Sequence, residues 1–169
     1  MVAEEGYLEK MRAVVDKYKL PAGLIELEVT ETVFGDFDAK AGMKSAEEII
    51  TALHDMGFAI SVDDFGSGYS SYTMLGNLPF DVLKVDKSIL DDADKSEKMH
   101  TILAKVIDLG NSLGMKVVVE GIETREQEEL LLKLGATLGQ GFNFSKPRPV
   151  EDFIAFFEKN ITEVDAAGA

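Results

Sequence analysis

The stretch Gly57-Phe58-Ala59-Ile60-Ser61-Val62-Asp63-Asp64-Phe65-Gly66 reads as a short strand, Phe58 to Asp63, with two acids at its exit. Gly57 stops the helix before it, and the turn Phe65-Gly66-Ser67-Gly68 follows it. Upstream, Ala46, Ile49, Ile50, Leu53 and Met56 recur at helical spacing behind a capping-box pattern, Ser45 and Glu48. Before that helix, Leu24 to Thr30 is a strand. Before the strand, Leu8, Met11, Val15 and Tyr18 mark a leading helix ended by Pro21 and Gly23. Downstream, Phe80 to Asp86 is a third strand, and Met99 through Leu113 a long helix ended near Gly114. Lys116 to Glu120 is a fourth strand whose centre, Val117-Val118-Val119, is apolar throughout, as in buried parallel strands. Thr124 and Gln127 repeat the capping box before Leu130, Leu131 and Leu134. Thr137 to Phe142 is a weaker fifth strand, and Phe153, Ile154, Phe156 and Phe157 lie on a closing helix. The regular alternation places the chain in the α/β class with parallel strands and crossover helices. An open doubly wound sheet and part of an eight-stranded βα barrel both fit that order.

At 169 residues the chain suits a single domain: a leading helix over 1–20, a βα core over 21–161 and a frayed tail over 162–169. A net charge of −14 argues against a duplex nucleic-acid binder, because phosphate contacts require a surplus of Lys and Arg. Carboxylates that first capture divalent cations would reverse that local charge. Without cysteine there are neither disulfides nor thiolate metal sites, and a reducing, cytoplasmic setting is expected. Apolar runs are too short for a membrane span, and the start of the chain lacks a signal-peptide pattern.

Polar residues gather where the strands end. Glu28 and Glu31 follow one another at the first strand, Asp63 and Asp64 at the second, and Lys84 and Asp86 on the third. Glu120 and Glu123 mark the fourth, and Gln140 the fifth. In a βα fold these carboxyl-end positions converge on one face, where ligands bind. Lys84 and Asp86 share a strand face with Val82 and oppose Leu83 and Val85. Adjacent strand residues point oppositely, so Asp63 and Asp64 share a site only if Asp64 lies past the strand end. Clustered carboxylates repel unless offset, and hard divalent cations do this best. Mg²⁺ or Mn²⁺ fits better than zinc in a chain with two histidines and no cysteine. Single residues also have plainer readings: Glu31 or Asp86 can cap a following helix, and Gly66 to Ser71 can be an ordinary turn. Lys84 is harder to explain that way, since a lysine in an apolar strand is costly to bury unless paired.

Five motifs taken together resemble the EAL family of cyclic di-GMP phosphodiesterases. They are Glu28-Val-Thr-Glu31, Asp63-Asp64-Phe-Gly66, Leu83-Lys84-Val-Asp86, Glu120-Gly-Ile-Glu123 and Gln140-Gly-Phe-Asn-Phe-Ser-Lys-Pro147. Their order and spacing match: Lys84, Glu120 and Gln140 lie 21, 57 and 77 residues beyond Asp63. The resemblance runs from about Tyr7 to about Phe157. It implies metal-assisted hydrolysis of cyclic di-GMP to linear pGpG with two Mg²⁺ or Mn²⁺ ions. Asp63 is similar to the ligand shared by both metals, Glu28 to a ligand of one, and Asp64 and Glu120 to ligands of the other. Lys84 resembles the lysine that contacts the attacking water and the scissile phosphate. Glu123 and Gln140 match positions beside the substrate, with Asp86, Gly66 and Ser67 as further substrate-side candidates. Asp64 to Tyr72 resembles a mobile loop linking metal binding to dimerisation, and Glu31 the glutamate that anchors it.

One departure stands beside these matches. The family's Glu-Ala-Leu signature, and the asparagine-bearing strand after it, are absent from the sequence. Both belong to the first three strands of the family barrel. The expectation is therefore a partial TIM-like barrel of about five parallel strands, with one metal short of two ligands. Two parallel edges left unpaired would favour a homodimer or higher self-association. A non-catalytic module binding metal or cyclic di-GMP, or a self-assembling half barrel, are the alternatives to a weakly active or inactive hydrolase fragment.

Overall fold

The computed structural model describes residues 6–30, 46–66, 72–93 and 95–167. Helix α1 (Tyr7–Tyr18) leads through a 3₁₀ turn to β1 (Glu26–Thr30). Then come α2 (Ala46–Asp55), β2 (Ala59–Phe65), α3 (Tyr72–Asn77) and β3 (Val82–Val85). Helices α4 (Lys87–Ala93) and α5 (Glu97–Ser112) precede β4 (Lys116–Glu120). Helix α6 (Arg125–Lys133), β5 (Leu138–Gln140) and α7 (Val150–Ala167) complete the order. The short helices α3 and α4 carry no helical repeat long enough to be read from sequence. Helix α7 continues into the segment expected to fray. Ser45, half of the first capping-box pattern, lies outside the described residues. No helix among the described residues is long and apolar enough to cross a membrane.

The five strands form one parallel sheet in the order β1-β2-β3-β4-β5. Strand order that follows chain order, without a reversal, is the winding of a βα barrel; a doubly wound sheet has a switch point. That distinction resolves the two sequence-level alternatives. Because side chains alternate across a strand, the sheet has two unlike faces. One carries Val29, Ile60, Val62, Leu83, Val85, Val117 and Val119, which form the core with α2, α4 and α5. Ile50, Leu90, Leu103 and Ile107 are the fully buried helix residues of that core. Gly110 of α5 lies so close to the sheet that a Cβ there would sit 2.5 Å from Val117 Cγ2. The opposite face carries Glu28, Ser61, Asp63, Lys84, Val118 and Glu120 in register.

Candidate metal centre

Lys84 lies at the middle of that polar face, and its side chain is only 10% exposed. Its Nζ donates to Glu28 Oε1 on β1 at 2.6 Å and to Asp63 Oδ1 on β2 at 2.9 Å. It also lies 2.9 Å from Glu120 Oε1 on β4. One ammonium thus bridges four of the five strands. An isolated ammonium would be costly to bury, so this position is tenable because three acceptors surround it. Burial acts to lower the Lys84 pKa, but the bonds to Glu28, Asp63 and Glu120 outweigh it and hold the pKa above its ordinary value. The lysine stays charged.

Asp63 and Asp64 reach one site by a route the sequence does not announce. Asp64 is not beyond the strand end, as expected, but within β2. Its φ is +55°, and the β2–β3 register shifts between Val62 and Phe65. A left-handed residue at a bulge re-aims its side chain and undoes the alternation that would set neighbours on opposite faces. Asp is among the few non-glycine residues that tolerate this conformation. As a result, one carboxylate oxygen from each of Asp63, Asp64 and Glu120 lies within 4.8 Å of the other two. Glu28, half exposed, is not part of that trio and bonds to Lys84 instead.

Glu120 is held in place from β5. It lies opposite Gln140, and Ile122 N donates to Gln140 O at 3.1 Å. Gly141 allows this approach, since a Cβ there would fall 2.0 Å from the Ile122 carbonyl oxygen. From the other side, the Thr124–Gln127 capping box is present as expected. Gln127 Oε1 accepts from Glu123 N at 2.9 Å, fixing the backbone that follows Glu120. The Glu123 carboxylate is half exposed and pairs with Lys87.

Asp86 Oδ1 accepts from the Ser88 N at 2.9 Å and from the Ser88 hydroxyl, so it closes the start of α4. Gly66 turns out of β2 with φ +96°, where a Cβ would meet Ile89 Cδ1. Gln140 is exposed at the end of β5. Glu31 and Ser67 lie outside the described residues. Sequence reasoning passed over Lys87, whose only signal was its place just after the strand-end Asp86. It also passed over Ser61, fully buried on the polar face with no hydrogen-bond partner for its hydroxyl. A separate groove lined by Arg125, Leu132, Asn143, Phe144 and Phe156 involves none of the strand-end carboxylates.

The family profile of the EAL domain matches residues 1–147. The chain belongs to the EAL domain family. Among relatives of this EAL chain, the probable cyclic di-GMP phosphodiesterase PdeB of Escherichia coli strain K12 is 35% identical over 161 residues. That match takes in 95% of this chain and 29% of PdeB. The structure of the PaMucR phosphodiesterase in complex with c-di-GMP superposes with a TM-score of 0.80 at 35% identity. It covers 90% of this chain and 60% of that one. The manganese and cy-diGMP complex of Klebsiella pneumoniae BlrP1 gives a TM-score of 0.74 at 29% identity, over 83% of this chain and 35% of its own. The EAL chain spans 15% to 36% of the length of these and other curated relatives it matches. The sheet is thus part of the TIM-like barrel of the family.

Proposed function

We propose that this EAL chain carries the metal-binding part of a cytoplasmic phosphodiesterase centre that hydrolyses cyclic di-GMP to linear pGpG. The observation that carries the reading is the buried Lys84 ammonium bound to Glu28, Asp63 and Glu120, beside the converging Asp63, Asp64 and Glu120 carboxylates. The donor set fits a hard divalent cation: three carboxylate oxygens are close enough to bind one ion, and the sequence offers no thiolate. Mg²⁺ or Mn²⁺ is the choice that chemistry favours. Asp63, Asp64 and Glu120 would hold one ion, and Asp63 and Glu28 would contribute to a second. Such cations, when bound, supply charge stabilisation to a phosphoryl oxygen.

The chain's own residues do the rest. Lys84 is a fixed positive charge on the same face, suited to orient a water and the scissile phosphate. Glu123 and Gln140, at the ends of neighbouring elements, would meet the substrate's edge. Asp86 and Gly66 support the adjoining turns, and Glu31 and Ser67 join the reading from the sequence alone. The relatives support the substrate, since PdeB is named as a probable cyclic di-GMP phosphodiesterase. In an assay for pGpG release with Mg²⁺ or Mn²⁺, weak turnover by the chain, lost in Asp63→Ala, is the expected result. No pGpG from correctly folded protein would overturn the reading.

A second reading has one observation in its favour. Glu28 is engaged by Lys84 at 2.6 Å and stands outside the carboxylate trio, so the described residues offer three ligands for one cation and fewer for another. On that reading the chain binds cyclic di-GMP and one metal without turnover. Calorimetry showing saturable cyclic di-GMP binding with no pGpG would favour it. Self-association through β1 and β5, the outer strands among the described residues, belongs to either reading.

A further inference from the structure

We propose that Lys87 is a positioning residue that holds the Glu123 carboxylate at the rim of the metal centre. The inference rests on the phosphodiesterase reading for the role of Glu123, but its geometry stands alone. Lys87 Nζ donates to Asp91 Oδ1 and Oδ2 at 2.8 and 2.9 Å, one helical turn along α4. The same ammonium lies 3.4 Å from Glu123 Oε1, on the segment leaving β4. Asp91 therefore fixes the ammonium, and the ammonium in turn reaches across to Glu123. This is a link between the exits of β3 and β4, independent of the one through Lys84.

Gly121 shows that the lysine stem is part of the design. Its φ is +74°, and a Cβ there would lie 2.3 Å from Lys87 Cγ and 2.5 Å from Cδ. The Lys87 stem thus lies flat against the backbone between Glu120 and Glu123. A side chain at position 121 would displace it. With the Glu123 N tied to Gln127 Oε1, both the backbone and the carboxylate of Glu123 are restrained from opposite sides. An exposed ion pair contributes little to stability, so the effect of this one should appear in the reaction. Misplacing a group at a reacting centre costs far more rate than the pair costs in folding.

The test is a double-mutant cycle on the full chain with Lys87→Met, Glu123→Gln and the pair, with Lys87→Arg as the conservative variant. In cyclic di-GMP hydrolysis, Lys87→Met is expected to lower kcat about tenfold with KM within about twofold. Lys87→Arg should recover most of that loss, and the urea midpoint should not move. The double variant should be no slower than Glu123→Gln alone, because Lys87 acts through Glu123. Additive losses, or a Lys87→Met enzyme equal to wild type, overturn the proposal. A wild-type chain without turnover counts against the phosphodiesterase reading, and the decision then falls to a nitrogen-15 spectrum of the lysine ammonium groups. A Lys87 signal that shifts in Glu123→Gln supports the contact; one that does not move overturns it.

Discussion

An ammonium that touches three carboxylates on a sheet face is stable only while all four groups are present. Removing Lys84 would leave Glu28, Asp63 and Glu120 to repel one another with nothing between them. Lys84→Met is expected to destabilise the chain by about 1–3 kcal/mol, below the figure for a fully buried pair because the Glu28 side chain is 52% exposed. Urea unfolding measures this, and excess Mg²⁺ or Mn²⁺ should restore part of the loss by taking over the charge. A variant as stable as wild type without metal would contradict the account. Lys84 is legible in the sequence because a lysine between Leu83 and Val85 needs a partner. Asp64 is legible as an acid but not in its geometry, since nothing in Asp63-Asp64 announces a left-handed residue at a register shift. Lys87 is less legible still: its partners, Asp91 and Glu123, belong to a short helix and a loop that only the fold brings together.

At the scale of elements, long amphipathic segments are readable and short ones are not. Helix α5, 16 residues long, buries Leu103, Val106, Ile107 and Gly110 on one stripe over about two turns, so its period is clear. Helices α3 and α4, six and seven residues long, are too short to establish a period. Lys116–Glu120 has the expected bounds, while the other four strands shift at one or both ends by one to two residues, because strand ends depend on hydrogen-bond partners rather than on side-chain pattern. The close approach of α5 to the sheet also depends on a partner. Gly110 of α5 faces Val117 and Leu83, and a methyl there would have to displace both or lift the helix. Gly110→Ala should gain about 1 kcal/mol in helix propensity but lose about 2–3 to overpacking, a net loss of about 1–2 kcal/mol. The urea midpoint should fall with the slope unchanged. A stabilised variant would mean that α5 packs less closely than described.

For the whole molecule, two opposing terms govern association. The sheet presents β1 and β5 as edges among the described residues, and Leu138, Phe144, Phe153 and Phe157 are each about half exposed. Parallel edges and apolar surface favour pairing with another chain. A net charge of −14 opposes it, and salt screens that repulsion. Self-association is therefore expected to strengthen as ionic strength rises, seen as a growing mass in gel filtration with light scattering. A monomer of normal stability at every salt concentration would contradict it.

The bulge at Asp64 brings Asp63, Asp64 and Glu120 together, and a divalent cation is expected to bind there. Mn²⁺ titration of the full chain by calorimetry tests it most directly. A saturable site is expected in the wild type and is lost in Asp64→Ala while the fold persists. Absence of saturable Mn²⁺ binding, or binding that Asp64→Ala leaves unchanged, would contradict it.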